Sequence, residues 1–306
     1  MEPMRVSFIL SLMLACSVQA SALRVEHLRV QSRMNPQGID EKSPLFSWQL
    51  KSDERGVVQT AYQLALTTDA EGGNTVWDSG PVASAASVGV TAKGLQLQAS
   101  TRYFWHVTVW DNKGNAASST ETAYFDTGLM STARNPLSLA IWIQASEESA
   151  QSQGAPMFRK VFSLAKPVRE AKLYTSGLGI YDVFINGQRV GHLQPDGRVV
   201  YEELKPGWTD YRYRVFYASH DVTTLLAEGA NAIGAVVTPG WWSGAIARGV
   251  YGDAPLGFIA KLLVRYEDNM QASDHHSQLP KGIYIVSQGS VADGGISARK
   301  ILSRFR

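Results

Sequence analysis

Tyr181-Asp182-Val183-Phe184-Ile185-Asn186-Gly187-Gln188-Arg189-Val190-Gly191 is the stretch on which the fold turns. Tyr181, Val183 and Ile185 alternate with Asp182 and Phe184, the period of an extended strand with one face turned to a core. Asn186-Gly187 then stands between two apolar runs. Both residues accept positive φ, so the pair predicts a tight type I′ hairpin. Upstream, Met157 to Phe162 and Ala171 to Gly177 read as further strands. Downstream, Arg214 to Ala218, Asp221 to Thr223, Asn231 to Val237 and Ile259 to Tyr266 do the same. These spacings predict an eight-strand jelly roll over residues 137–268. Asn135-Pro136 marks its opening boundary, and Glu147 to Pro156 reads as a polar surface loop.

Residues 23–130 form an earlier module of short alternating runs broken by Gly, Asn, Asp and Ser, the pattern of an antiparallel sandwich. Leu45 to Leu50 places Phe46, Trp48 and Leu50 on one face, which is assigned to the core. Arg102 to Trp110 alternates Tyr103, Trp105, Val107 and Val109 against Phe104, His106, Thr108 and Trp110. It stops at the turn residues Asp111-Asn112-Lys113-Gly114. An early strand with a buried Trp48, followed by Leu97, Thr101, Tyr103, Trp105 and Val107 before a glycine turn, resembles a fibronectin type III domain. The resemblance implies that Tyr103 is the corner tyrosine whose hydroxyl ties to nearby backbone. His106 falls on the other face and is read as a surface residue. The fold class expected is therefore all-β, a fibronectin type III-like sandwich followed by a jelly-roll sandwich.

Composition agrees with two folded domains. The chain has 306 residues, and a domain takes about 150. Charged residues are 18%, and Gly, Trp and Tyr number 27, 8 and 12, which excludes a long disordered or coiled-coil chain. The formal charge is +2, but residues 269–306 carry five Lys/Arg against two Asp/Glu, so the rest sums to 2 − 3 = −1. Nucleic-acid binding has no electrostatic footing there. One cysteine permits no internal disulfide, and with six scattered histidines it assembles no zinc-type ligand set. No metal or cofactor is expected.

Residues 1–22 read as an export signal: a single cation at Arg5, the apolar run Val6 to Ala15, then small residues that place cleavage after Ala20 or Ala22. The rival reading uses Cys16. Leu14-Ala15-Cys16 resembles a lipobox, in which Cys16 would be acylated and become the first mature residue. Membrane attachment is expected only through that lipid, and the location expected is the bacterial periplasm or exterior, with an outer-membrane lipoprotein as the variant.

A longer ordered series is recognisable in the second module. Leu173-Tyr174, Gly177, Tyr181, Ile185-Asn186-Gly187 and Val190-Gly191 are followed by Leu204, Pro206-Gly207-Trp208-Thr209-Asp210-Tyr211, Arg214 and Tyr217. Asp221-Val222-Thr223, Gly229, Asn231-Ala232-Ile233-Gly234 and Gly240-Trp241-Trp242 complete it. The series resembles the N-terminal jelly-roll domain of bacterial α-L-rhamnosidases, and the preceding module is similar to the one that opens many of them. The resemblance covers roughly residues 23–268 and implies a secreted, multi-domain glycoside hydrolase that releases L-rhamnose from glycans and glycosides. It also implies inversion at the anomeric carbon by two carboxyl groups, one protonated and one activating water, both carried by a later (α/α)₆ barrel.

That barrel's acidic motif is not found here, and Gly207-Trp208-Thr209-Asp210 is only an echo of part of it. Residues 269–306 lose the family pattern and turn basic, so they are expected to be a divergent, disordered tail. A frameshift or early stop is one source, an ordinary family-specific tail the other. The chain is expected to be the non-catalytic front of such an enzyme, inactive alone and scaffolding the missing barrel, with rhamnosylated glycans as a further partner. The alternatives are a stand-alone carbohydrate-binding protein and a working rhamnosidase completed by a partner chain.

Sugars present C–H faces to aromatic planes and hydroxyls to polar side chains, so exposed Trp or Tyr beside Asp and Arg is the pattern to seek. Gly240 to Gly244 is the first candidate. In an extended segment Trp241 and Trp242 point opposite ways, and Trp242 is assigned to the surface with Arg248 and Tyr251. Trp208, Asp210 and Arg212 form the second, against the reading that Trp208 plugs a sandwich end and Asp210 simply pairs with Arg212. Glu202-Glu203 is read as a solvated edge, His275-His276 as no metal site, and Asn186 and Asp182 as turn and edge residues.

Overall fold

The computed structural model describes residues 23–131, 137, 140–144, 154–194, 196–243 and 255–267, together with the backbone of 283–286. The first nine strands are β1 (Arg24–Val30), β2 (Leu45–Lys51), β3 (Gln59–Thr67), β4 (Thr75–Asp78), β5 (Val82–Ala83), β6 (Val90–Thr91), β7 (Arg102–Asp111), β8 (Ala116–Ser118) and β9 (Ala123–Asp126). They form a three-stranded sheet β1-β2-β6 and a six-stranded sheet β4-β3-β7-β8, with β5 on β3 and β9 on β7. Phe46 and Trp48 are buried on β2, as are Tyr103, Trp105, Val107 and Val109 on β7. Alternation along each strand puts them on the core face. Trp48 donates its indole N–H to buried Gln59 at 2.9 Å. Gln59 in turn donates to the carbonyls of Ser84 and Ala86, so the polar atoms in this core are satisfied.

The remaining strands are β10 (Ile143–Gln144), β11 (Met157–Leu164), β12 (Val168–Leu178), β13 (Ile180–Ile185), β14 (Gln188–Arg189), β15 (His192–Leu193), β16 (Val199–Val200), β17 (Ala218–Asp221), β18 (Gly229–Thr238), β19 (Gly257–Tyr266) and β20 (Ile283–Val286). One sheet runs β10-β19-β12-β17 with β20 on β19, and the other runs β11-β18-β13-β14. A small ribbon pairs β15 with β16. Leu173, Val183, Ile185, Val237, Phe258 and Leu262 are among the residues that fill the space between the two sheets. Both domains are β-sandwiches, and the chain is all-β.

Asn186 and Gly187 have φ of 49° and 82° and close the β13–β14 hairpin. Asn186 is more than a turn residue. Its side-chain amide donates to Leu225 O and Asn231 Oδ1, and its Oδ1 accepts the Ala232 N–H. Two strands differ from the sequence reading: Asp221 to Thr223 is the end of β17 (Ala218–Asp221) leading into a short 3-10 helix at Thr223–Leu225, and Arg214 to Tyr217, ahead of β17, is irregular. Here the chain turns to meet other partners, the Phe216 carbonyl accepting from Ser176 and the Tyr217 hydroxyl donating to Asp40.

Two compact units emerge from the coordinates. The first holds the described parts of residues 1–34, 45–93 and 104–123, and the second holds 35–44, 94–103 and 124 onward. Within the second, Arg102 binds Asp126 through two nitrogens at 2.8 and 2.9 Å and reaches Asp221 at 3.0 Å. Lys172, 2% exposed, lies 3.1 Å from Asp126, which is 1% exposed, and 3.4 Å from Glu170. Glu170 also pairs with Arg265, whose other nitrogen donates to the Ser100 carbonyl. The Tyr174 hydroxyl donates to Ser100 Oγ at 2.7 Å. Segments distant in sequence thus meet at β12 through one buried ionic network.

Candidate functional site

Trp208 follows the Lys205-Pro206-Gly207 turn and stands 54% exposed, with Tyr213 beyond it at 82%. The loop between them is held by its own bonds. Asp210 accepts from Arg212 at 2.9 and 2.6 Å, and the Thr209 hydroxyl donates to the Arg214 carbonyl. The guanidinium of Arg212 holds the Asp210 carboxyl below its ordinary range. Arg212 also lies 5.8 Å from the centre of the Tyr213 ring. The expectation that Trp208 plugs a sandwich end is therefore corrected. Tyr211, 1% exposed, takes the inward position of this turn and leaves Trp208 facing water.

Trp242 requires the opposite correction. It is 8% exposed, packs edge-to-face on Tyr211 at 5.3 Å and donates its indole N–H to the Pro255 carbonyl at 3.1 Å. Alternation failed here because Gly240 to Ser243 is a turn. The N–H groups of Trp242 and Ser243 both return to the Pro239 carbonyl, and side chains on a turn do not obey the two-residue period. Gly240 has φ of 49°, and a Cβ there would lie 2.5 Å from Ile180. Trp242 belongs to a core with Leu178 and Tyr211, against which Trp241 is partly buried. Arg248, Tyr251, Cys16 and His275-His276 lie outside the described residues.

The adjacent carboxylates Glu202 and Glu203 are both engaged. Glu203 accepts from Arg189 at 2.7 Å, and that contact lowers its carboxyl. Glu202 is half exposed and sits 3.5 Å from His192 Nε2. A hydrogen bond from His192 is the main reason its carboxyl is drawn down to about 2, against the opposing effect of partial burial. Among the described residues no group of three or more His, Cys, Asp or Glu is arranged to hold a metal ion. None of the described helices is long and apolar enough to cross a membrane.

In the first domain the Gln98 N–H donates to the Tyr103 hydroxyl at 2.9 Å, five residues upstream, and Tyr103 stacks on Phe125 at 5.5 Å. Sequence reasoning passed over the network of Arg102, Asp126, Lys172, Glu170 and Arg265, and the pair of His192 with buried His220. Each charged residue sits in a strand whose sequence does not mark it, and only the meeting of distant strands sets it apart.

The comparisons with known proteins fit this geometry. Residues 25–131 match the family described as Rha78A-like, N-terminal immunoglobulin domain, and residues 166–287 match the alpha-L-rhamnosidase N-terminal domain. An alpha-L-rhamnosidase of Alteromonas sp. (strain LOR) is 33% identical over 249 residues, covering 77% of this chain and 26% of that protein. The alpha-L-rhamnosidase structure from Dictyoglumus thermophilum superposes with a TM-score of 0.66 at 33% identity, over 81% of this chain and 28% of that one. The enzyme from Aspergillus terreus gives 0.70 at 28% identity, over 87% and 29%. The chain thus spans about a quarter of the length of the Alteromonas relative.

The chain thus carries two family-matched β-sandwiches in series. More narrowly, it corresponds to the N-terminal part of an alpha-L-rhamnosidase. Its first sandwich matches an immunoglobulin description, the same architecture as the fibronectin type III module read from the sequence.

Proposed function

We propose that residues 23–267 are a non-catalytic scaffold that braces the catalytic barrel of an α-L-rhamnosidase. The observation that carries this reading is the state of the carboxylates singled out for chemistry. Inversion needs one carboxyl that keeps its proton until the leaving oxygen takes it. Asp210 and Glu203 are paired with arginines, Glu202 is hydrogen-bonded to His192, and all three carboxyls are held below their ordinary range, the opposite of a general acid. The buried network around Asp126 gives the brace its stiffness. Expressing the chain beside the remaining three quarters or so of the Alteromonas relative tests the role. Co-purification with a raised melting temperature of that remainder is expected, and two proteins that elute and melt independently would reject it.

A second reading is favoured by Trp208 and Tyr213, which stand exposed beside Asp210 and Arg212. An aromatic face next to a carboxylate and a guanidinium suits a sugar ring. We assign to it contact with rhamnosylated glycans that the barrel processes, or that a stand-alone binding protein would retain. Trp208→Ala should abolish retention on a rhamnose-bearing glycan array while leaving the fold intact. Export through residues 1–22, with lipidation at Cys16 as its variant, completes the proposal. The apolar run Val6 to Ala15 supports it.

A further inference from the structure

His220 lies on β17, the end strand of its sheet, with Leu173 as its register partner on β12. It is 1% exposed, and within the described residues neither ring nitrogen has a hydrogen-bond partner. Burying an imidazole without partners is costly, and burying it charged is costlier. Its ring lies 4.8 Å from that of His192 on β15, tilted by 32°. His192 is the outer member of the pair, with about a fifth of its side chain exposed. This stack is a direct contact between the β15–β16 ribbon and the β17 edge.

The charged surroundings of the pair are lopsided. Lys205, with its side chain 1% exposed, and His192 both oppose a positive charge on His220. Glu202 is the favourable neighbour, but its carboxylate is already turned to His192 at 3.5 Å. Behind Lys205, Asp182 is shared with Arg189, which also holds Glu203. Asp221, next to His220 along β17, is engaged with Arg102 and with the Thr223 hydroxyl. Among the described residues no carboxylate is therefore left unengaged to compensate a charge at His220.

We propose that the His192–His220 stack is an acid-released latch, closed while His220 is neutral and opened by protonation, which frees the 192–206 segment from β17. Burial, reinforced by His192 and Lys205, draws the His220 imidazole down to about 3 from its ordinary 6.5. A histidine exposed by opening regains the ordinary value, so the open state binds more protons than the closed one between these two pH values. The latch is fully closed above about pH 6.5 and weakens as pH falls toward 3.

The test is backbone hydrogen exchange of residues 192–206 in the whole 306-residue chain, corrected for intrinsic exchange, at pH 6 and pH 5. The wild type should show an opening constant about eightfold larger at pH 5, and His220→Phe, which keeps a ring in the stack, should show none of that increase. An equal pH response in both proteins, or none in the wild type, would overturn the latch. Should His220→Phe not fold, imidazole NMR of the wild type decides. His220 must take its proton together with displacement of the 192–206 amides, and protonation that leaves those amides unmoved would equally overturn the proposal.

Discussion

Asp126 concentrates the energetics of the second compact unit in one side chain. It is 1% exposed, bound by two nitrogens of Arg102 and 3.1 Å from the Lys172 amine. Two buried or half-buried cations therefore share this carboxylate, each with a second acidic neighbour, Asp221 for Arg102 and Glu170 for Lys172. Removing the most deeply buried member leaves Lys172 and Arg102 with only their more exposed partners, and breaking a buried pair in this way costs up to about 3–5 kcal/mol. Asp126→Asn should lower stability by about that much in a urea titration followed by circular dichroism. Lys172→Met should cost clearly less, because Asp126 keeps Arg102 and the apolar stem is preserved. A similar argument applies to Tyr103, whose hydroxyl accepts the Gln98 N–H. Tyr103→Phe leaves that donor unpaired and should cost about 1–2 kcal/mol in the same titration. The tyrosine was legible through the resemblance to a fibronectin type III domain. The ionic network was not, since Val168-Arg169-Glu170-Ala171-Lys172 carries no mark of which strand will lie beside it.

Turns decide where the sequence pattern held and where it misled. At Asn186-Gly187 both φ values are positive and nothing lies within 4 Å of a Cβ at Gly187. Gly187→Ala should therefore cost only the backbone term, about 1 kcal/mol. Asn186→Ala should cost more, about 2 kcal/mol, because it loses the bonds to Leu225, Asn231 and Ala232. Parallel denaturant titrations of the two variants check the order, and an inverted order would show that the bonds contribute little. The hairpin could be read because its signal is local. The turn at Gly240 to Ser243 could not, since a glycine-flanked Trp pair fits an extended loop and a tight turn equally well. Choosing the turn buries Trp242 and leaves Trp241 partly buried against the same core, and the adjoining loop sends Tyr211 inward and Trp208 outward.

At the scale of the molecule, the two sandwiches were legible because alternation and turn chemistry repeat along about 240 residues, a signal that survives local errors. The functional surface was legible only as residue types. Trp208 beside Asp210 and Arg212 was legible as a candidate weighed against a sandwich plug, but which tryptophan faces water depended on loop geometry, and the His192–His220 pair depended on tertiary packing. The whole molecule also limits the chemistry. Outside the core of Leu173, Val183, Ile185 and Leu262, Arg and His neighbours hold Asp210, Glu202 and Glu203 ionised. The most direct measurement is the initial rate of aryl α-L-rhamnoside hydrolysis by the homogeneous chain, run beside Asp210→Asn and Glu202→Gln. All three rates should match the rate without protein; wild-type turnover that either substitution abolishes would contradict a non-catalytic role.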